Sequence, residues 1–237
     1  MPASSDRHGD RNLGPNGMPK FSALAGRAPV LCMVTPGEER GESSLVAAIA
    51  AAGRAGVDLV QIRERRLDDG RLLRLTRAVL TVLSGTSTQL LVNDRLDVAL
   101  AAGAAGVHLR ADSFGAERAR RIAPPGFLVG RSVHSEEEAL EVEAAGGCDY
   151  LMFGTVFLSA SKPAGHPAAG LEALRRVCAR VQLPVIAIGG MTVEAAGSVG
   201  RAGASGLGAI SLFEGAVDIA ATVSAVRSSF DRGVAAV

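Results

Sequence analysis

The chain of 237 residues is 48% hydrophobic and 21% charged, and 25 Lys and Arg against 24 Asp and Glu leave a formal net charge of +1. A near-neutral balance provides no field to hold a polyanion, and with no Trp, one Tyr and 7 Phe there are few aromatic platforms for bases, so nucleic acid is excluded as a partner. Cys32, Cys148 and Cys178 are far apart with no CxxC pair, which argues against a disulfide framework or zinc site and for a reducing, cytoplasmic setting, and no apolar run reaches the roughly 20 residues that span a bilayer.

Residues 1–28 are rich in Gly, Pro, Ser, Asn and basic side chains without a helical or strand period, and are expected to form a disordered tail ahead of one domain over 29–237. From there, short Val/Ile/Leu runs alternate with Ala/Leu/Arg/Glu-rich segments of helical spacing, the pattern of a buried parallel sheet with crossover helices. The spacing predicts strands over 29–35, 58–62, 89–92, 106–109, 127–130, 149–153, 184–188 and 206–210. Within the series, 51–63, 101–110, 143–154 and 200–211 are variants of one phrase that ends a helix at Ala-Gly, turns and enters a strand. Two βα units per interval make eight, which predicts a single (β/α)8 TIM barrel. A doubly wound open sheet of similar units is the alternative, but the length leaves no room for the insertions or edge strand such a sheet often carries.

A barrel of this kind places its chemistry on the loops after the strands. After the second strand, Gln61, Arg63 and Arg65 alternate with Ile62 and Glu64, so the three polar side chains share one face, and a Gln and an Arg ending a buried strand call for a ligand or an acidic partner. After the third strand come Asn93 and Asp94, an amide and a carboxylate suited to Mg²⁺; Asp94 could equally cap the helix that begins near Arg95. His108 lies inside the fourth strand. Ser132 and His134 follow the fifth, and His134 is the histidine best placed to move a proton, although the acidic helix start behind it offers a packing role instead. The loop after the sixth strand carries Ser159, Ser161 and Lys162 with no apolar anchor, a composition that suits folding over a diphosphate. Gly189 and Gly190 after the seventh strand, and residues 206–211 ending in Ser211, would let backbone N–H groups approach a phosphate monoester.

Taken together, the stretches at 61–65, 91–100, 106–109, 130–139, 149–171 and 184–191 resemble the thiamine phosphate synthase and thiazole tautomerase superfamily. The resemblance implies a transferase that joins a hydroxymethylpyrimidine diphosphate to a thiazole phosphate with Mg²⁺ and release of diphosphate, and it implies a homodimer. By position, Gln61 and Arg63 would hold the aminopyrimidine and diphosphate, Arg65 would stand for a usual Lys, and Asn93 and Asp94 would serve diphosphate and metal. Ser132 would face the leaving group, Ser159, Ser161 and Lys162 would clamp it, and Gly190 and Ser211 would take the thiazole phosphate. The synthase pattern H-x-G-Q-x-D after the fourth strand reads here His108-Leu109-Arg110-Ala111-Asp112-Ser113, so the second metal carboxylate is displaced or missing. The resemblance also admits a metal-independent tautomerase, whose His would fall at Thr155 and whose proton carrier would then be His134, or a barrel that only binds a thiazole or thiamine phosphate.

Overall fold

The computed structural model describes residues 29–37, 41–158 and 167–236; the expected tail over 1–28 lies outside the described residues. Eight strands are β1 (Val30–Val34), β2 (Leu59–Ile62), β3 (Gln89–Asn93), β4 (Gly106–Leu109), β5 (Leu128–Val133), β6 (Tyr150–Gly154), β7 (Val185–Ile188) and β8 (Gly206–Ala209). Each pairs in parallel with its sequence neighbour, and β8 returns to β1, closing a barrel. Parallel neighbours need crossovers. These are α1 (Glu42–Arg54), α2 (Asp69–Leu83), α3 (Leu96–Ala102), α4 (Ala116–Ile122), α5 (Glu136–Ala145), α6 (Gly170–Arg180) and α7 (Val193–Arg201), followed by a short α8 (Ser211–Glu214) and α9 (Ile219–Val234). The (β/α)8 barrel is therefore the fold, and the open sheet is not.

Strand alternation sorts the side chains into two cores. Val30, Cys32, Leu59, Leu91, Tyr150 and Ile186 fill the barrel, while Leu31, Met33, Val60, Val92 and Phe153 pack outward under the helices. Room inside is shared unevenly: a Cβ on Gly130 would lie 2.1 Å from the Tyr150 ring, so glycine there gives the ring its space.

One strand is longer than its apolar run. The expected strand over 127–130 continues as β5 to Val133, paired with β6 through Ser132↔Met152 and Val133↔Phe153. Arg131 and Ser132 hide this extension because they break the apolar pattern while the backbone ladder persists.

The floor of the barrel is tied by two Asp–Arg pairs built alike. Asp58 Oδ2 accepts from the Leu31 N–H at 2.8 Å and from Arg227 Nη2 at 2.8 Å, and Arg227 also donates to the Pro29 and Gly56 carbonyls. Asp149 Oδ2 accepts from the Val129 N–H at 2.7 Å and from Arg120, which donates also to the Phe127 carbonyl at 2.6 Å. Each Asp stands in the turn before an even-numbered strand and satisfies a strand N–H of the preceding odd one. Around the outside, α9 meets α7 backbone to backbone, since a Cβ on Gly233 would lie 1.9 Å from the Gly197 carbonyl oxygen.

Candidate active site

The C-terminal ends of β2 to β5 present polar side chains on the inner face, where the earlier positions of the same strands are apolar. Gln61 is buried, and its Nε2 donates to Asn93 Oδ1 at 2.9 Å. That bond fixes the amide orientation and leaves Gln61 Oε1 as a buried acceptor without a partner among the described residues. Such an atom costs roughly 1–3 kcal/mol until a donor reaches it.

One strand further on, His108 points inward and is fully enclosed. Its Nδ1 lies 3.0 Å from the Tyr150 hydroxyl and its Nε2 2.9 Å from Ser132 Oγ. Burial pushes its pKa down to about 3; Asp94 opposes that shift and Arg131 reinforces it, so the ring is neutral. A neutral imidazole has one donor and one acceptor, which matches two hydroxyls and fixes the Ser132 hydroxyl at the mouth. The role of Tyr150 was not read from the sequence. The signal was available in the register, because Gly130 on β5 pairs with both His108 and Tyr150.

Beside this layer, a cleft of about 190 Å³ is lined by Glu64, Arg65, Asn93, Asp94, Arg95 and Arg110, with Ile62, Leu67 and Leu72 below. Asp94 adopts φ 61°, a left-handed conformation that Asp tolerates better than most residues, and its N–H donates to the His108 carbonyl at 2.8 Å. This turn points its carboxylate across to the β4 loop. Ser113 Oγ donates to Asp94 Oδ1, and Arg110 Nη1 stands 3.7 Å from Asp94 Oδ2 while its Nη2 pairs with Asp112. Asp94 is not the cap of α3; that position belongs to Arg95, which has no side-chain cap bond and pairs with Asp69 and Asp97. Arg131 holds the β4 loop in place by donating to the carbonyls of Ala111, Ser113 and Phe114. Arg63 is half-buried, its N–H donating to Thr35 Oγ1 at 2.8 Å and its Nη1 to the Pro36 carbonyl at 3.3 Å. Burial lowers its pKa, and the charges of Arg65 and Arg110 push the same way against Glu64. A guanidinium stays charged regardless, so several like charges share this mouth.

The resemblance implies Mg²⁺ here, and the side chains present do not fit it. No group of three or more His, Cys, Asp or Glu that could hold a metal ion exists among the described residues. Of the two carboxylates on the cleft wall, Glu64 accepts from the Gly37 N–H at 3.3 Å, while one Asp94 oxygen is engaged by Ser113 and a guanidinium stands before the other. Asp112 is 69% exposed and faces Arg110 rather than the cleft. Mg²⁺ takes hard oxygen ligands, and a fixed positive charge within 4 Å of the same carboxylate repels it.

On the opposite side of the mouth, Gly189 and Gly190 adopt φ 103° and 62°. The chain leaving β6 runs across them: Phe157 N–H donates to the Gly189 carbonyl at 3.1 Å, and a Cβ on Gly190 would lie 2.4 Å from the Leu158 carbonyl oxygen. Ser211 opens α8 on the same rim, directly after β8, and is exposed. His134 is exposed beyond β5, and its Nδ1 lies 2.5 Å from the Gly154 carbonyl oxygen. A carbonyl only accepts, so Nδ1 carries a proton. Its N–H is held by Glu138, whose own N–H is capped by Ser135 at 3.1 Å. Ser159, Ser161 and Lys162 lie outside the described residues. Thus Gln61, Arg63, Arg65, Asn93, Asp94, Ser132, His134, Gly189, Gly190 and Ser211 are gathered at one end of the barrel. Arg110 and Ser113 carried no expected role, although Arg110 follows His108 by two positions and so shares its inward face.

Comparison with known proteins identifies the family of the chain. The thiamine monophosphate synthase family model matches residues 31–213. The chain is 44% identical over 191 residues to the thiamine-phosphate synthase of Methanoculleus marisnigri, covering 81% of this chain and 88% of that one. It is 38% identical over 197 residues to the thiamine-phosphate synthase of Roseiflexus castenholzii, covering 83% and 86%. Its fold is similar to that of a thiamine phosphate pyrophosphorylase from Pyrococcus furiosus, with TM-score 0.76 and 29% identity over 89% of this chain and 99% of that one. A 3-hexulose-6-phosphate synthase, 19% identical with TM-score 0.64, shares the fold alone. Because the family match runs from β1 to α8 and takes in every strand end that builds the mouth, the chain belongs to the thiamine monophosphate synthase family.

Proposed function

We propose that this chain is a transferase of thiamine biosynthesis that couples hydroxymethylpyrimidine diphosphate to a thiazole phosphate. The thiazole ring nitrogen forms a bond to the pyrimidine methylene carbon as the bond from that carbon to the diphosphate oxygen breaks, giving thiamine phosphate and free diphosphate. The observation that carries the reading is Gln61 Oε1, a buried acceptor held in place by Asn93 and without a partner among the described residues. An exocyclic amine on a pyrimidine supplies the missing donor and orients the ring.

The remaining roles follow position. Arg63 and Arg65 meet the diphosphate from β2, Ser159, Ser161 and Lys162 are its further ligands by sequence position, and Ser132 faces the leaving group with its hydroxyl directed by His108. His134, anchored through Nδ1 to the Gly154 carbonyl on the same rim, is the candidate proton carrier. Gly189, Gly190 and Ser211 take the thiazole phosphate, where glycine lets backbone N–H groups come close. In this reaction Mg²⁺ neutralises the diphosphate when bound; the residues here do not suit it, and Asp94 acts through Ser113 and Arg110.

Three free cysteines support a reducing cytoplasm, and no helix among the described residues is long and apolar enough to cross a membrane. The family resemblance supports a homodimer, which sedimentation would read as twice the 24.2 kDa chain. The activity itself is tested by incubating purified protein with both substrates and measuring thiamine phosphate. Product is expected, with kcat/KM about tenfold or more lower in Gln61→Ala; absence of product with and without added metal would overturn the assignment.

A further inference from the structure

Arg110 occupies the position where the synthase pattern has glycine, and Ser113 the position where it has the second carboxylate. Their side chains act together. Ser113 Oγ donates to Asp94 Oδ1, and the Arg110 guanidinium stands between Asp94 and Asp112 on the wall of the cleft. We propose that Arg110 is a diphosphate-binding residue whose guanidinium, positioned by Asp94, takes the place of a divalent cation, so that this chain binds diphosphate without metal. The inference rests on the transferase reading for the identity of the natural ligand.

Two considerations carry it. The first is donor capacity. A guanidinium has five N–H donors in a planar fork that matches phosphate oxygens. The two aspartates engage only part of that fork, and the Asp112 pair is at the surface, with side chains 39% and 69% exposed, where such a pair contributes little and yields readily to a better acceptor. The second is charge. The charges of Arg65 and Arg110 both bear on Arg63 at the mouth, whereas Arg95, the fourth arginine there, is committed to Asp69 and Asp97. Arg65 and Arg110 line the cleft with Arg63 beside it, and their nearby carboxylates Glu64, Asp94 and Asp112 leave guanidinium N–H groups unengaged for a polyanion. A divalent cation at Asp94 would meet the Arg110 guanidinium at the same carboxylate.

Calorimetry with inorganic pyrophosphate in EDTA, on the full chain, tests this directly. Wild type is expected to bind without metal, Arg110→Ala to bind about tenfold or more weakly, and Arg110→Lys to keep part of the affinity because it retains charge but not the fork. The Arg110→Gly/Ser113→Asp double variant is expected to bind pyrophosphate only when Mg²⁺ is present. Thermal melting of each variant separates lost binding from lost fold, and Arg110→Lys remains informative if Arg110→Ala melts early. If pyrophosphate binds wild type only with Mg²⁺, or binds Arg110→Ala as tightly in EDTA, the inference is wrong. Thiamine phosphate formed by wild type only with Mg²⁺ would likewise sink it while leaving the transferase reading intact. Metal-free, Arg110-dependent binding with no product under any condition would sink the transferase reading and leave the inference standing.

Discussion

His108 meets Tyr150 and Ser132 with its two ring nitrogens in a dry interior, and this makes one residue responsible both for aiming a hydroxyl and for part of the acid sensitivity of the protein. With a folded pKa of about 3 against an ordinary 6.5, the ring is neutral when folded and takes up a proton on unfolding below pH 6.5. Its contribution is therefore complete above pH 6.5 and is lost as pH falls towards 3, with a slope approaching about 1.4 kcal/mol per pH unit. The charged neighbours that act on it, Asp94 and Arg131, oppose one another. Urea midpoints compared at pH 7 and pH 5 should drop for wild type and change less for His108→Asn; equal drops would show that the imidazole does not set the slope. At the same scale, Gly190→Ala places a methyl group against the Leu158 carbonyl on a positive-φ residue and should raise KM for the thiazole phosphate more than for the diphosphate substrate.

The strands were legible because a parallel barrel buries both faces of each one, which writes continuous Val, Ile and Leu runs into the chain. β4 begins and ends where those runs do. β5 does not, since Arg131 sends its head to the β4 loop and Ser132 turns inward to His108, so two polar residues continue a strand that periodicity ends at Gly130. The mouth was legible as a set of strand ends. Its inner wiring was not, because whether Asp94 caps a helix or faces a loop depends on a left-handed turn that the letters Asn-Asp-Arg do not specify. Between helices, the contact of α7 with α9 depends on glycines facing backbone. Gly233→Ala would gain about 1 kcal/mol of helix propensity and lose more to the clash, for a net destabilisation of about 1–3 kcal/mol. A melting temperature at or above that of wild type would mean that the two helices can move apart at no cost.

Across the whole molecule, the barrel is joined where its beginning meets its end. Arg227 on α9 donates to the Pro29 carbonyl ahead of β1 and to Asp58 ahead of β2, and Asp58 in turn holds the N–H of Leu31. Asp58 is 4% exposed, so Arg227→Ala leaves a buried carboxylate without its countercharge and should cost about 3–5 kcal/mol. Denaturation with urea would measure that loss, while kcat per folded molecule should stay near wild type because the pair lies at the end opposite the mouth. An Arg227→Ala variant as stable as wild type would show that strand pairing alone closes the ring.

Arg227 also follows all eight strands in the chain, so the residue that ties the floor is made after the last of them. Until α9 is made and packs back, the acid before β2 has no cation. A stop codon ahead of residue 227 would leave Asp58 buried without its countercharge and expose a less stable barrel to chaperones and proteases, even though all the residues of the mouth had been translated.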